Sequence, residues 1–449
     1  MGLASIYGFR MLGLFLILPV FALFAEDLAG ATPLLIGLAI GIYGLTQAIL
    51  QIPFGLLSDR IGRKPVIIGG LLLFALGSVI AAMADDIWLI LIGRAVQGSG
   101  AIAAAVMALA ADLTRDSQRT KAMATIGMTI GTSFALALMA GPFLYSMVGM
   151  SGLFWLTGVL AFLGIIVLVF IVPTPIHQNL HREVQSVPMT FRRVLANGQL
   201  LRLDLGIFSL HLMLTAMFLS VPLLLRDLGL PLSEHSMFYL PVLFVSVILM
   251  VPFIIIAEKY GKMKAVFNGG IAIIVCALVA LNLWSTSWFI VAIILTLFFT
   301  GFNLLESILP SLISKIAPVD AKGTAMGVYS TSQFMGGFLG GLIGGIVHQQ
   351  FGYQWVFIAA ALIGLLWLLI ALTMEQPGQY SNRVITMPDL NEVQSKALAK
   401  LLGEVKGVIE VVIIAGEKVA YLKVDRKEID DKEFENECES MLATIVEAN

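Results

Sequence analysis

Twelve times before residue 375 the chain runs through about 20 mostly apolar residues between charged or turn-forming breaks, the length that crosses a bilayer's hydrocarbon core as a helix. The runs lie near 8–24, 34–56, 65–84, 87–111, 121–147, 151–172, 202–225, 236–257, 264–284, 287–314, 323–349 and 353–374. No water-soluble fold accommodates them. Of the 449 residues, 59% are hydrophobic and 12% charged, with a mean hydropathy of +0.95. Soluble domains carry about 25% charged residues. The two cysteines, Cys276 in an apolar run and Cys438 in a polar tail, do not make a disulfide framework or a metal knuckle, so no metal or cofactor is expected.

Lysine and arginine stay on the cytoplasmic side during insertion. Arg60, Arg63, Lys64, Arg115, Arg119, Lys121, Arg182, Arg192, Arg193, Arg202, Lys259, Lys262, Lys264, Lys315 and Lys322 fall in one set of connections, and Arg226 alone in the other. Both termini are therefore expected in the cytoplasm. The first run, preceded by Arg10, has the look of a secretory signal, but eleven further spans favour an uncleaved anchor.

The chain repeats itself at half length. Pro53-Phe54, Asp59-Arg60, Gly62 and Arg63 after the second span recur as Pro252-Phe253, Glu258-Lys259, Gly261 and Lys262 after the eighth, an offset of 199 residues. Ala122-Met123 recurs as Ala325-Met326. Duplications six spans apart predict an all-α membrane protein of twelve transmembrane helices in two six-helix bundles. The expected division is a first bundle over 1–172, an inter-bundle linker over 173–201, a second bundle over 202–374, a linker over 375–382 and a tail domain over 383–449.

At this point the motifs bear a resemblance. Gly55-x-x-x-Asp59-Arg60-x-Gly62-Arg63-Lys64 resembles the loop signature of the major facilitator superfamily, and Arg94-x-x-Gln97-Gly98 resembles its fourth-span motif. Gly141-Pro142 resembles the core of the antiporter motif, without all of its flanking glycines. The resemblance implies a bacterial inner-membrane transporter. It also implies alternating access, with two bundles rocking about a cavity lined by spans one, four, seven and ten.

Electrostatics gives the loop a task. Asp59 ends span two on the side where span eleven begins near Gly323, and a helix N-terminus attracts a carboxylate by about 0.3 to 1 kcal/mol. The resemblance assigns Asp59 that inter-bundle contact and pairs Arg63 with an acid closing span four, for which Asp112 fits. A latch of this kind holds only while the cytoplasmic side is shut. Gly55 and Gly62 permit close approach and a tight turn. The plainer reading is that Arg60, Arg63 and Lys64 only obey the topology rule.

Ionisable groups at membrane depth cost about 2.5 to 3.5 kcal/mol each and mark function. His211 in span seven and Glu306 in span ten both lie nine residues from a cytoplasmic cation, at a shared depth. Asn303, three residues before Glu306, shares its face and is placed to bond the carboxylate or a substrate. The pair suits proton uptake and release; the alternative for His211 is a neutral ring bonded to a backbone carbonyl. Arg94 and Asp112, 18 residues apart on one straight helix, point the same way, with Arg94 and Gln97 facing the cavity or the bundle interior. Arg10 faces the cavity or snorkels to the interface, and snorkelling is the expectation. Pro19 and Pro142 are candidate kinks.

From Arg383 the pattern changes to strand, helix (389–404), hairpin (408–414 and 419–424) and helix (430–446). That order is ferredoxin-like and lacks a last strand. With no C-x-x-C it is not a metal chaperone, and its acidic run is a solvated helix face or a site of regulation. The leading expectation is a monomeric proton-coupled exporter of small lipophilic or cationic organic molecules, in contact with lipid and with no nucleic-acid partner. A proton symporter or facilitator of a nutrient, and a non-transporting sensor speaking through the tail, are the alternatives. An enzyme is excluded by the lack of any nucleophile with its base, and an ATP-driven pump by the lack of a P-loop.

Overall fold

Lipid offers backbone groups no hydrogen bonds, so apolar runs must satisfy every N–H and C=O within their own segment. The computed structural model describes residues 2–114, 116–174, 191–318, 321–376, 380–387, 392–413 and 419–425, together with Phe434 and Met441. Its helices are α1 (Gly2–Leu16), α2 (Leu18–Ala25), α3 (Pro33–Ile61), α4 (Arg63–Ala82), α5 (Ile87–Ser99), α6 (Ala103–Asp112), α7 (Asp116–Phe170), α8 (191–195), α9 (Gly198–Asp227), α10 (His235–Lys259), α11 (Met263–Trp284), α12 (Trp288–Ile316), α13 (Lys322–Phe351) and α14 (Tyr353–Leu372). Side-chain caps start several of them: Thr32, Asp86, Asn197 and Ser287 each accept from backbone amides of the following turn.

Ten stretches are long and apolar enough to cross a membrane, against the twelve runs read from sequence. Two physical causes account for the difference. One stretch, Thr125–Phe170, is 46 residues long and turns at Gly149, whose φ of +68° suits glycine alone. The other, α13, carries so many glycines and polar residues that it is not among the ten, despite its 30 residues.

Two spans are broken in mid-course. Residue Ile17 separates α1 from α2 just before Pro19, and Gly100–Ile102 separates α5 from α6 without any proline. The second break overturns the expectation that Arg94 and Asp112 share a face, because helical phase is lost between them.

The helices bury three apolar cores. The largest draws on residues 194–374, with Phe134 and Leu138 of α7 crossing over to pack in it, a second on 4–172, and a third on 17–154 with Leu219 of α9. Helix α13 lies between α3 and α9. A Cβ on Gly341 would meet the Gly37 carbonyl oxygen at 2.3 Å, and one on Gly41 the Phe338 oxygen at 2.6 Å. Toward α9, a Cβ on Gly340 would meet the Leu212 oxygen at 2.3 Å. Such backbone-to-backbone packing requires glycine.

All of these α3–α13 contacts fall in the first half of α3 and the second half of α13. Toward the charged end, that of the loop at Gly62, Ile52, Leu56 and Leu57 of α3 are exposed, and a Cβ added to Gly327 of α13 would meet nothing within 4 Å. The helices therefore diverge toward the charged end and close at the other. At the closed end Arg226 of α9 pairs with Glu26 beyond α2 and with Asp227, and the Tyr353 hydroxyl donates to Asp227 at 2.7 Å. Beneath that, Phe15 packs on Phe134, which in turn meets Phe218, Phe299 and Phe302, an aromatic plug with centroid separations of 5.1 to 6.3 Å.

The tail forms β1 (Tyr380–Thr386), α15 (Glu392–Gly403), β2 (Val408–Ile413) and β3 (Val419–Asp425). The sheet order is β1-β3-β2, both neighbours antiparallel to β3, so β1 and β2 run parallel and α15 is the crossover between them. Strand β1 begins three residues before the sequence expectation; the expected turn at 415–417 and most of the helix at 430–446 lie outside the described residues. The domain docks by charge. Lys423 donates to the carbonyl of Ile316, the last residue of α12, at 3.1 Å, and Arg193 of α8 lies 3.7 Å from Glu410. A cation there suits the negative end of the helix. Burial lowers the Lys423 pKa from the ordinary lysine value, and the Glu410 carboxylate opposes that shift.

Candidate functional site

Helix α9 brings His211, α12 brings Glu306 and α13 brings Gln333 to one place. The Gln333 amide nitrogen lies 2.9 Å from His211 Nε2 and 3.3 Å from Glu306 Oε1. Across the ring, His211 Nδ1 is 3.3 Å from the Ile207 carbonyl and 3.9 Å from Glu306 Oε2. These partners are mutually consistent for a neutral imidazole that donates from Nδ1 to Ile207 and accepts at Nε2 from Gln333. The arrangement is reversible. A proton on Nε2 turns that atom into a donor, which requires the Gln333 amide to present its oxygen instead. Glu306 Oε2 is buried without a partner, so it is free to accept a proton or a donor from outside the protein.

Phe302 stacks beside His211 at 5.9 Å and belongs to the aromatic plug, which separates the trio from the closed end. Asn303 does not join Glu306. Its amide donates to Ser246 of α10 at 3.1 Å and is spent on helix packing. Two further polar groups escaped the sequence reading. Gln333 is neutral and sits in a glycine-rich helix, where nothing marks it. Asp204, two helical turns before His211 on α9, is 5% exposed with Oδ1 unpartnered, and the rule that singled out Glu306 applies equally to it.

The fourth-span arginine faces the bundle interior. Arg94 is 2% exposed, donates to Gln97 Oε1 at 2.8 Å and lies over the Tyr43 ring, while Gln97 donates to Ser78 at 2.8 Å. Arg10 does not snorkel. It is fully buried and bonds Tyr43, Gln47 and the Gly100 carbonyl. The break between α5 and α6 exposes that carbonyl, which with Tyr43 and Gln47 holds Arg10 Nη2 inside the bundle. Gly141 fits against the Leu16 carbonyl, where a Cβ would stand at 2.6 Å, beside the α1–α2 break, and Pro142 follows inside α7.

At the charged end Arg63 pairs with Asp59 and with Asp112, the latter at 3.3 Å. Ser58 accepts from Arg63 at 2.8 Å, and Lys64 donates to the Val172 carbonyl at 2.5 Å, tying α4 to the end of α7. Gly62 has φ of +100°, and a Cβ on Gly55 would touch Ala104 at 3.3 Å. Arg60 is exposed. Among the described residues no hydrogen bond or ion pair joins Asp59 to α13, in keeping with the divergence of α3 and α13 at this end. Because the Asp112 side chain is only 3% exposed, removing its partner strands a buried carboxylate. Arg63→Ala is expected to destabilise the protein by about 3 kcal/mol, read as a lowered unfolding temperature in detergent, while Arg60→Ala stays within about 0.5 kcal/mol of the parent.

A helical shell in which three helices bring a carboxylate, an imidazole and an amide together at membrane depth, beside an aromatic plug, is suited to passing solutes. The sequence profile described as Major Facilitator Superfamily matches residues 3–341 and 298–406. The chain is 48% identical over 434 residues to the inner membrane transport protein YajR of Escherichia coli (strain K12), covering 97% of this chain and 95% of that protein. It is 25% identical to the multidrug resistance protein MdtH of Aeromonas salmonicida (strain A449), over 82% and 94% of the two chains. In fold it is similar to a crystal structure of a bacterial homolog of the human lysosomal transporter Spinster, in an inward-facing and occupied conformation. The TM-score is 0.68 at 14% identity, covering 84% and 96%. The family and these relatives are transporters and not enzymes, and the chain belongs to the Major Facilitator Superfamily.

Proposed function

We propose that the protein is a proton-coupled secondary transporter that exports small organic molecules across a bacterial inner membrane by alternating access. The observation that carries this reading is the trio His211, Gln333 and Glu306, drawn from three helices, which offers a protonatable carboxylate beside an imidazole at membrane depth. In this reading the membrane is crossed twelve times, in two six-helix bundles over 1–172 and 202–374. Thr125–Phe170 supplies two crossings and α13 one more. The basic loops and both termini face the cytoplasm, so the structure is the inward-open state. The name of YajR supports an inner-membrane location, and that of MdtH, a multidrug resistance protein, suits removal of organic compounds from the cell.

Alternation then follows from competing contacts. The glycine seam between α3 and α13 and the Glu26–Arg226 pair hold the outer end shut. When the bundles rock the other way, Asp59 reaches the start of α13 near Gly323 and Arg63 holds that loop in register with Asp112. The protein acts as a monomer, with its ferredoxin-like tail as a regulatory attachment.

Purified protein in sealed vesicles with an imposed acidity gradient tests the proposal. Movement of a labelled organic solute that rises with the gradient is expected; binding without any movement would leave a sensor instead. Asp59→Asn is expected to lower the rate several-fold while leaving the unfolding temperature nearly unchanged, since its pair with Arg63 here is a partly exposed contact within one loop, worth about 1 kcal/mol at most.

A further inference from the structure

The core formed by residues 4–172 contains two buried guanidinium groups. Arg10 and Arg94 are 0% and 2% exposed, and their centres lie 6.0 and 5.1 Å from the same Tyr43 ring. Among the described residues neither is bonded to a carboxylate. Asp59 and Asp112 are engaged by Arg63 at the membrane edge. Two like charges at this depth are strongly disfavoured unless something of opposite sign accompanies them.

The two arginines differ in how they are satisfied. Arg94 spreads its donors over Gln97 and the Ala39 carbonyl. Arg10 sends one nitrogen, Nη2, to three neutral acceptors: the Tyr43 hydroxyl at 2.8 Å, Gln47 Oε1 at 2.5 Å and the Gly100 carbonyl at 2.9 Å. Its Nε and Nη1 are buried and have no partner at all. Each bidentate edge of the guanidinium, Nε–Nη2 and Nη1–Nη2, thus has one nitrogen engaged and one unused, and a planar oxyanion is the group that fits such an edge with two parallel hydrogen bonds. Gln47 is the side-chain amide on Nη2, and its own amide nitrogen donates to Gln51 at 2.9 Å.

The core of residues 194–374 shows the converse. Asp204 and Glu306 each have a buried carboxylate oxygen without a partner, and among the described residues the only basic group paired with Glu306 is His211. Arg10 lies eight residues into α1 and Glu306 ten residues before the end of α12. At 1.5 Å per residue these are comparable depths, about 12 and 15 Å from the charged end.

We propose that Arg10 is the anchor for the acid group of the transported molecule, so that the substrate is a small organic carboxylate, zwitterionic where it also reaches Glu306. The carboxylate takes the place of Gln47 on Nη2 and adds a bond to a neighbouring, now unused nitrogen, which neutralises one buried cation. This deepens the transport reading and rests on it.

Thermal unfolding of the full-length protein in detergent tests the anchor with three probes: benzoate, benzylamine as its cationic counterpart, and inorganic phosphate. Benzoate is expected to raise the unfolding temperature in a saturable way. Arg10→Lys should need at least about tenfold more benzoate, because a point charge lacks the fork, and Arg10→Gln should show no benzoate shift. Glu306→Gln should keep the benzoate shift and lose any shift produced by benzylamine. If Arg10→Gln does not fold, the Arg10→Lys titration decides alone. An unchanged benzoate response in the Arg10 variants, no response in the parent, or an equal response to phosphate would overturn the proposal, the last showing an adventitious inorganic anion. Because the readout is binding, a protein that binds benzoate and moves nothing sinks the transport reading while leaving the anchor standing.

Discussion

Glu306→Gln is expected to uncouple transport from acidity. The substitution keeps the shape of the side chain and an oxygen for the Gln333 amide, and it removes only the ability to bind and release a proton. One proton falling through 100 mV releases about 2.3 kcal/mol, enough to sustain a solute gradient of about 50-fold. The variant should therefore lose uphill movement altogether and show a flat rate between acidic and neutral buffers, while downhill exchange of substrate persists. Accumulation by this variant that still follows an imposed pH difference would clear Glu306 of coupling and leave Asp204 as the next buried acid to examine.

Gly341→Val is the second large effect. The added Cβ would stand 2.3 Å from the Gly37 oxygen and 3.0 Å from the Gly41 nitrogen, both backbone atoms that no rotamer change can move. Overpacking of this kind costs about 1 to 3 kcal/mol. Because the contact lies between the cores and not inside any one of them, the cost falls on the arrangement seen here and not on folding. A bias of that size shifts a two-state balance by about 5- to 150-fold. Transport should fall by at least about tenfold, since one of two required states is depopulated, with the unfolding temperature held near that of the parent. Labelling of a cysteine placed at Leu56, exposed in this structure, should slow in the Gly341→Val background. Unchanged labelling together with unchanged transport would show that the glycine seam has room to spare.

The spans, the basic loops and the loop signature were legible because each rests on composition: apolar length, the sign of charges and spaced glycines. The three strands of the tail and the helix between the first two were legible from apolar runs between turn residues. What escaped the sequence was geometry set by other helices. No proline marks the break at Gly100–Ile102, so a straight fourth span looked sound, and with it a shared face for Arg94 and Asp112. Arg10 was placed by a rule for isolated helices, whereas a broken neighbour supplies it with a bare carbonyl. Asn303 shares a face with Glu306 but is claimed by Ser246, a partner that no spacing argument names. Gln333 carries no charge to betray it, although it is the residue that links His211 to Glu306.

The grip of Lys423 on the end of α12, together with that of Glu410 on α8, makes the tail an outrigger fixed to one bundle. Whatever angle that bundle sweeps, a lever of this kind multiplies into displacement at its tip. A donor fluorophore on the sheet and an acceptor on the loop at Gly62 would convert each stroke into a change of colour, so the tail doubles as a built-in goniometer for the machine.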